Sequence, residues 1–143
     1  MNKKTGFVGR RKARRFALQA LYGWLLSENA LLDVENHFLI EHVEEDFDRE
    51  YFHLLVHEVP AHLEEIESIM SPYLSRKLEE LGPIELTILR ISVYELKHRI
   101  DIPYRVIINE GLELAKTFAA PDSFKFVNGV LDKVAKELRS SET

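Results

Sequence analysis

GPIELTILRISVYELKH, residues 82–98, decides the fold. Ile84, Leu86, Ile88, Leu89, Ile91, Val93 and Leu96 recur at helical spacing and leave little polar face, so this helix should be packed on several sides. Gly82 ends what comes before it. Pro83 suits a first helical position, where a backbone N–H has no partner inside the helix anyway. A helix of this kind needs other helices around it, and it is the expected centre of the core.

Working downstream, Asp101 can cap a sixth helix with Pro103 in its first turn and Val106, Ile107, Leu114, Ala115 and Phe118 on its apolar side. A seventh opens near Ala120-Pro121-Asp122-Ser123, runs to about Leu138 and buries Val127, Val130, Leu131, Val134 and Leu138. Upstream, a short helix over about 73–80 precedes Gly82. The stripe Tyr51, Phe52, Leu55, Val56, Val59, Leu63, Ile66 and Met70 keeps its phase across Pro60, which predicts one kinked helix capped by Asp48. A second helix is expected to start with Asp33 as N-cap and to use Val34, Phe38 and Leu39. In the first, Ala13, Phe16, Ala17, Ala20, Leu21, Trp24 and Leu25 make a stripe over about 11–28. No strand-like alternation occurs, so the class is all-α, with about seven helices.

Charge is divided unevenly along this chain. The first fifteen positions hold Lys3, Lys4, Arg10, Arg11, Lys12, Arg14 and Arg15 and no acid, leaving 12 basic against 24 acidic side chains in the remainder. Clustered cations at a helix start oppose the macrodipole and repel one another at i,i+4, so the cluster points to an external polyanion. Phosphates supply that anion, because Lys and Arg release their condensed counterions. Residues 1–9 carry two glycines and no sustained pattern, which reads as a flexible basic lead.

Further along, Phe126 lies about 100° from the buried direction of the seventh helix, between Lys125 and Lys133. An aromatic plate framed by cations is the pairing that single-stranded nucleic acid uses, with bases on the ring and phosphates on the amines. The competing reading packs Phe126 against another helix.

Other chemistries find no support in the sequence. There is no cysteine, hence no disulfide framework and no thiolate. Five of the six histidines (His37, His42, His53, His57, His62) stand among acidic residues, yet HLLVH lacks the glutamate that a zinc protease helix carries after its first histidine. They read as scattered surface histidines, and neither metal nor cofactor is expected. The adjacent carboxylates Glu44-Glu45-Asp46, Glu64-Glu65 and Glu79-Glu80 point in different directions on a helix and read as solvated faces. No phosphate loop, nucleophile elbow or dinucleotide fingerprint is present, so no enzyme is expected. No stretch approaches the roughly 20 apolar residues that span a bilayer, and a cytoplasmic protein is expected.

RRKARRFALQALYGW (10–24), PYLSRKLEELGPIELTILRISVYEL (72–96), IPYRVIINEGLELAKTF (102–118) and DSFKFVNGVLDKVAK (122–136) together resemble the NusB family of bacterial transcription antitermination factors. The resemblance implies two small packed helical bundles, roughly 10–81 and 82–143, forming one RNA-binding domain over 10–143. It implies binding of boxA-type single-stranded leader RNA together with the ribosomal protein NusE. That RNA is tethered to elongating RNA polymerase, with other antitermination factors engaged indirectly, and ribosomal RNA transcription is supported. The arginine-rich motif falls on Arg10, Arg11, Lys12 and Arg14, with lysine at 12 where arginine is common, and the carboxy-terminal part of the RNA surface on Asp122, Ser123, Lys125 and Phe126. Tyr22 and Glu85 lie in segments that resemble the partner-facing region. A homodimer in the absence of partners stays open. Two other classes compete: an RNA-docking domain related to that of ribosomal RNA cytosine methyltransferases, and a helix-turn-helix DNA regulator.

Overall fold

The structure, a computed structural model, describes residues 6–143. Its elements are helices α1 (Phe7–Leu26), α2 (Leu31–Glu41), α3 (Arg49–Ala61), α4 (Leu63–Met70), α5 (Pro83–His98), α6 (Tyr104–Phe118) and α7 (Ser123–Leu138), with two 3-10 turns at Ser71–Tyr73 and Leu78–Glu80. No strand occurs among the described residues. The chain divides into two compact units, Met1–Ala61 and His62–Thr143.

In the first unit α1 begins earlier than its stripe predicts. Gly6 is extended and its carbonyl accepts the Arg10 N–H at 3.0 Å, so Phe7, Val8 and Gly9 form a first helical turn where the sequence suggested a flexible lead. The rest of that expected lead, with Lys3 and Lys4, lies outside the described residues. Helix α2 starts at Leu31 behind Ala30, which places Asp33 inside the first turn, where its charge still favours the helix dipole, and not at the cap. Asp48 does cap α3, with Oδ1 accepting the Tyr51 N–H at 2.9 Å. The unit's core is a group of rings: Phe47 meets Phe16 and Phe52 edge-on at 4.8 and 5.8 Å between centroids, and Phe38 joins them at 5.2 and 5.5 Å.

The expected kinked helix is two helices. α3 ends at Ala61, one residue after Pro60, and His62 leaves helical geometry (φ −118°, ψ 22°) to become the N-cap of α4. Proline removes one ladder hydrogen bond and crowds the carbonyl four residues back, and here the chain breaks instead of bending. The observed division therefore falls at Ala61–His62 and not at Gly82.

In the second unit α5 packs against α4, α6 and α7, and every residue from Thr87 to Leu96 is buried. The expected helix over 73–80 is replaced by the two 3-10 turns, because Leu74 (ψ 131°) and Lys77 (ψ 150°) are extended. α6 starts at Tyr104 with Pro103, and not Asp101, as its N-cap residue, while the Asp101 carboxylate receives the Arg99 guanidinium at 2.9 and 3.0 Å.

Gly111 marks where α6 crosses its neighbours. A methyl group there would come within 2.7 Å of Ser92 Oγ on α5 and 3.1 Å of Leu131 Cδ1 on α7. Gly→Ala inside a helix gains about 1 kcal/mol in propensity, whereas overpacking a tight contact costs about 1–3 kcal/mol. Gly111→Ala is therefore expected to destabilise by about 1 kcal/mol net in urea unfolding. A stabilised variant would show that Ser92 swings aside without cost.

Candidate nucleic-acid interface

The cationic cluster of α1 divides between two directions. Arg10 lies with Nε 3.8 Å from Asp48 Oδ2 and its guanidinium 4.5 Å above the Tyr51 ring, and Arg14, only 3% exposed, approaches the same ring at 5.3 Å. Both turn toward the start of α3. Arg11 lies 5.0 Å over the Phe7 ring, Lys12 reaches Glu45 at 3.9 Å while keeping over a third of its side chain in solvent, and Arg15 is exposed. Because α1 begins at Phe7, these cations sit in its second and third turns. The dipole penalty argued from the sequence is smaller there, since that effect fades beyond the first turn. Mutual repulsion is relieved at Arg10 by Asp48 and at Lys12 by Glu45. Tyr22, in the later half of the same helix, is half-buried.

In the second unit, Asp122 and Lys125 are exposed at the start of α7, whereas Ser123 is buried and donates its hydroxyl to Glu85 Oε2 at 2.6 Å. Glu85 also accepts the Gly82 N–H at 3.4 Å and faces Arg76 Nη2 at 3.5 Å. Ser123 from the expected RNA set and Glu85 from the expected partner set are thus one hydrogen-bonded corner. Phe126 is half-buried, with the Arg76 guanidinium 4.2 Å above its ring. The sequence reading missed Arg76, whose only signal is a basic residue in the loop that leads to Gly82. Lys133 is exposed further along α7.

The histidines are not scattered. His53 and His57 converge on the buried Glu35 of α2, and His98 hydrogen-bonds Glu65, with the His62 ring 4.5 Å from that of His98. The hydrogen bond from His98 holds the Glu65 carboxyl below its ordinary range.

In the first unit a cationic helix face, and in the second a cation-stacked aromatic, are the side-chain types that contact phosphates and bases. No described helix is long and apolar enough to cross a membrane. The NusB family model matches residues 11–136. The chain is 53% identical over 142 residues to the transcription antitermination protein NusB of Alcanivorax borkumensis, covering 99% of this chain and 95% of that one. It is 55% identical over 135 residues to that of Serratia proteamaculans, covering 94% and 98%. Among solved structures it is similar to the antitermination factors NusB and NusE in complex with dsRNA, at a TM-score of 0.83 and 30% identity over 92% of this chain and 99% of that one. T. maritima NusB gives 0.76 and 32% over 90% and 91%. With a family model over most of its length and relatives of this identity over nearly all of it, the chain belongs to the NusB family.

Proposed function

We propose that this chain is a transcription antitermination factor that binds boxA-type leader RNA together with NusE and holds it to elongating RNA polymerase, supporting ribosomal RNA transcription. The mechanism is tethering, with no bond made or broken, and its place is the cytoplasm. The observation that carries the reading is the cationic set on α1, with Arg11 and Lys12 half-buried and Arg15 exposed, in a chain of the NusB family. In this assignment Arg11 and Lys12 meet phosphates, while Arg10 and Arg14 hold α1 against the start of α3. Lys125 and Phe126 give the second RNA contact, a phosphate and a stacked base. Asp122 and Ser123 shape the start of α7. Ser123 acts through Glu85, and the Glu85 corner and Tyr22 face NusE, whose basic character the acidic body of this chain complements.

The methyltransferase alternative gains nothing from the relatives, which are themselves NusB proteins matched over 95% and 98% of their length. A DNA-reading helix is disfavoured because Arg14 is buried and Arg10 is paired with Asp48.

Titration of labelled boxA-type RNA across a salt series, with and without NusE, tests the proposal. With about five phosphates engaged, the log-log slope is expected near −3.5, and Arg11→Ala with Lys12→Ala should flatten it by about 1.4 while far-UV circular dichroism stays unchanged. NusE should tighten binding. Salt-independent binding, or duplex DNA displacing the RNA, would overturn the reading.

A further inference from the structure

α2 is held to the first unit by an unusual anchor. Its one fully buried side chain is a carboxylate, Glu35, at 2% exposure. The two oxygens of that carboxylate are each met by an imidazole from α3: His53 Nδ1 lies 2.7 Å from Oε2, and His57 Nε2 lies 2.7 Å from Oε1. His53 and His57 are four residues apart on one face, with ring centroids 4.1 Å apart. One ligand atom from each of Glu35, His53 and His57 falls within 4.8 Å of the others.

We propose that Glu35, His53 and His57 form a site for a divalent transition metal ion of the zinc class, which staples α2 to α3. Two imidazoles and a carboxylate are the donors that borderline ions prefer. Tetrahedral bonds of about 2.0–2.2 Å place neighbouring ligand atoms roughly 3.3 Å apart, a spacing inside the 4.8 Å within which the three donors already lie. Two neutral imidazoles with one carboxylate leave a bound dication a net charge of +1, in a chain whose net charge is −5. His53 is mostly exposed, which gives the ion a route in and leaves a fourth position for water. The spacing on α3 carries no glutamate next to His53, so the site is structural and not hydrolytic.

The test uses the full-length protein, stripped with a chelator and titrated with zinc sulfate against a chromophoric zinc indicator, with Co2+ as a spectroscopic substitute. One tight equivalent is expected, with the visible absorption of tetrahedral cobalt and a raised melting temperature. His53→Gln with His57→Gln should weaken that equivalent at least about 100-fold, because even loss of an outer-shell partner costs up to that much. His98→Gln should leave it unchanged, which separates it from the His62, Glu65 and His98 group. Glu35→Gln, which keeps the shape and hydrogen bonding of the side chain, should remove the cobalt spectrum without unfolding the protein. No tight equivalent, or one that survives His53→Gln with His57→Gln, would overturn the proposal and leave the histidines as hydrogen-bond partners of Glu35.

Discussion

Arg139→Ala is expected to lower the unfolding free energy by about 2–4 kcal/mol, through the loss of several hydrogen bonds made by one charged group. Arg139 follows the last turn of α7 and is 4% exposed. Its guanidinium donates to the carbonyls of Leu96 at 2.8 Å, Arg99 at 2.9 Å, Ile102 at 3.1 Å and Glu95 at 3.4 Å, and its charge is met by Glu142 at 2.7 Å. The last carbonyls of a helix have no partner inside it, and here α5 and the turn after it deliver theirs to one planar fork. Removing that fork strands the carbonyls of Leu96 and Ile102, while those of Glu95 and Arg99 keep the backbone N–H groups of Arg99 and Ile102, at a cost above the about 1 kcal/mol of a single hydrogen bond. Arg139→Lys keeps the charge near the negative end of α5 but not the fork, and should fall between the two. Urea unfolding of the three proteins checks this. A loss under about 1 kcal/mol for alanine would mean that water reaches those carbonyls and replaces the guanidinium.

That arginine shows which parts of the molecule could be read from the sequence. The unbroken apolar run of α5 and the stripe of α7 announce themselves because their periodicity is local, and Asp48 is legible because a cap acts only three residues away. Arg139 caps a helix about forty residues earlier in the chain, so no local signal exists for it. Phe47 is fully buried in a loop between Asp46 and Asp48, where no periodic pattern marks it as core. Glu35 reads as an ordinary helix acid until α3 supplies its histidines.

Within the RNA-binding assignment, the chemistry of the cluster was legible but its division was not. Arg14 stands four residues before Leu18 and seven before Leu21, both buried, and including Leu18 in the stripe would have shown that Arg14 shares its face. Arg11 lies only about 20° from Leu18, at the edge of that stripe, and Arg15 about 60° from it, so spacing alone does not separate the two directions. Nor could spacing reveal that Tyr51 would sit beneath Arg10 and Arg14, because that contact joins α1 to α3.

Phe126→Ala is expected to weaken binding of boxA-type RNA by about 1–3 kcal/mol, roughly 5- to 150-fold, if a base stacks on this ring. The neighbouring Val127 is fully buried while Phe126 is turned partly outward, so the ring is fixed by its helix yet available at its edge and one face. Arg76 covers the other face at 4.2 Å, which holds the ring in place and sets a cation beside any phosphate that follows the stacked base. Because no charge is removed, the salt slope should stay that of the unsubstituted protein, in contrast to Arg11→Ala with Lys12→Ala. Phe126→Leu separates the two roles of the ring, since leucine keeps apolar volume but offers no π face. Affinity should fall in both variants, and the melting temperature should fall appreciably only with alanine. Unchanged affinity accompanied by a lower melting temperature would identify Phe126 as packing for Arg76 and move the RNA contact on α7 to Lys125 alone.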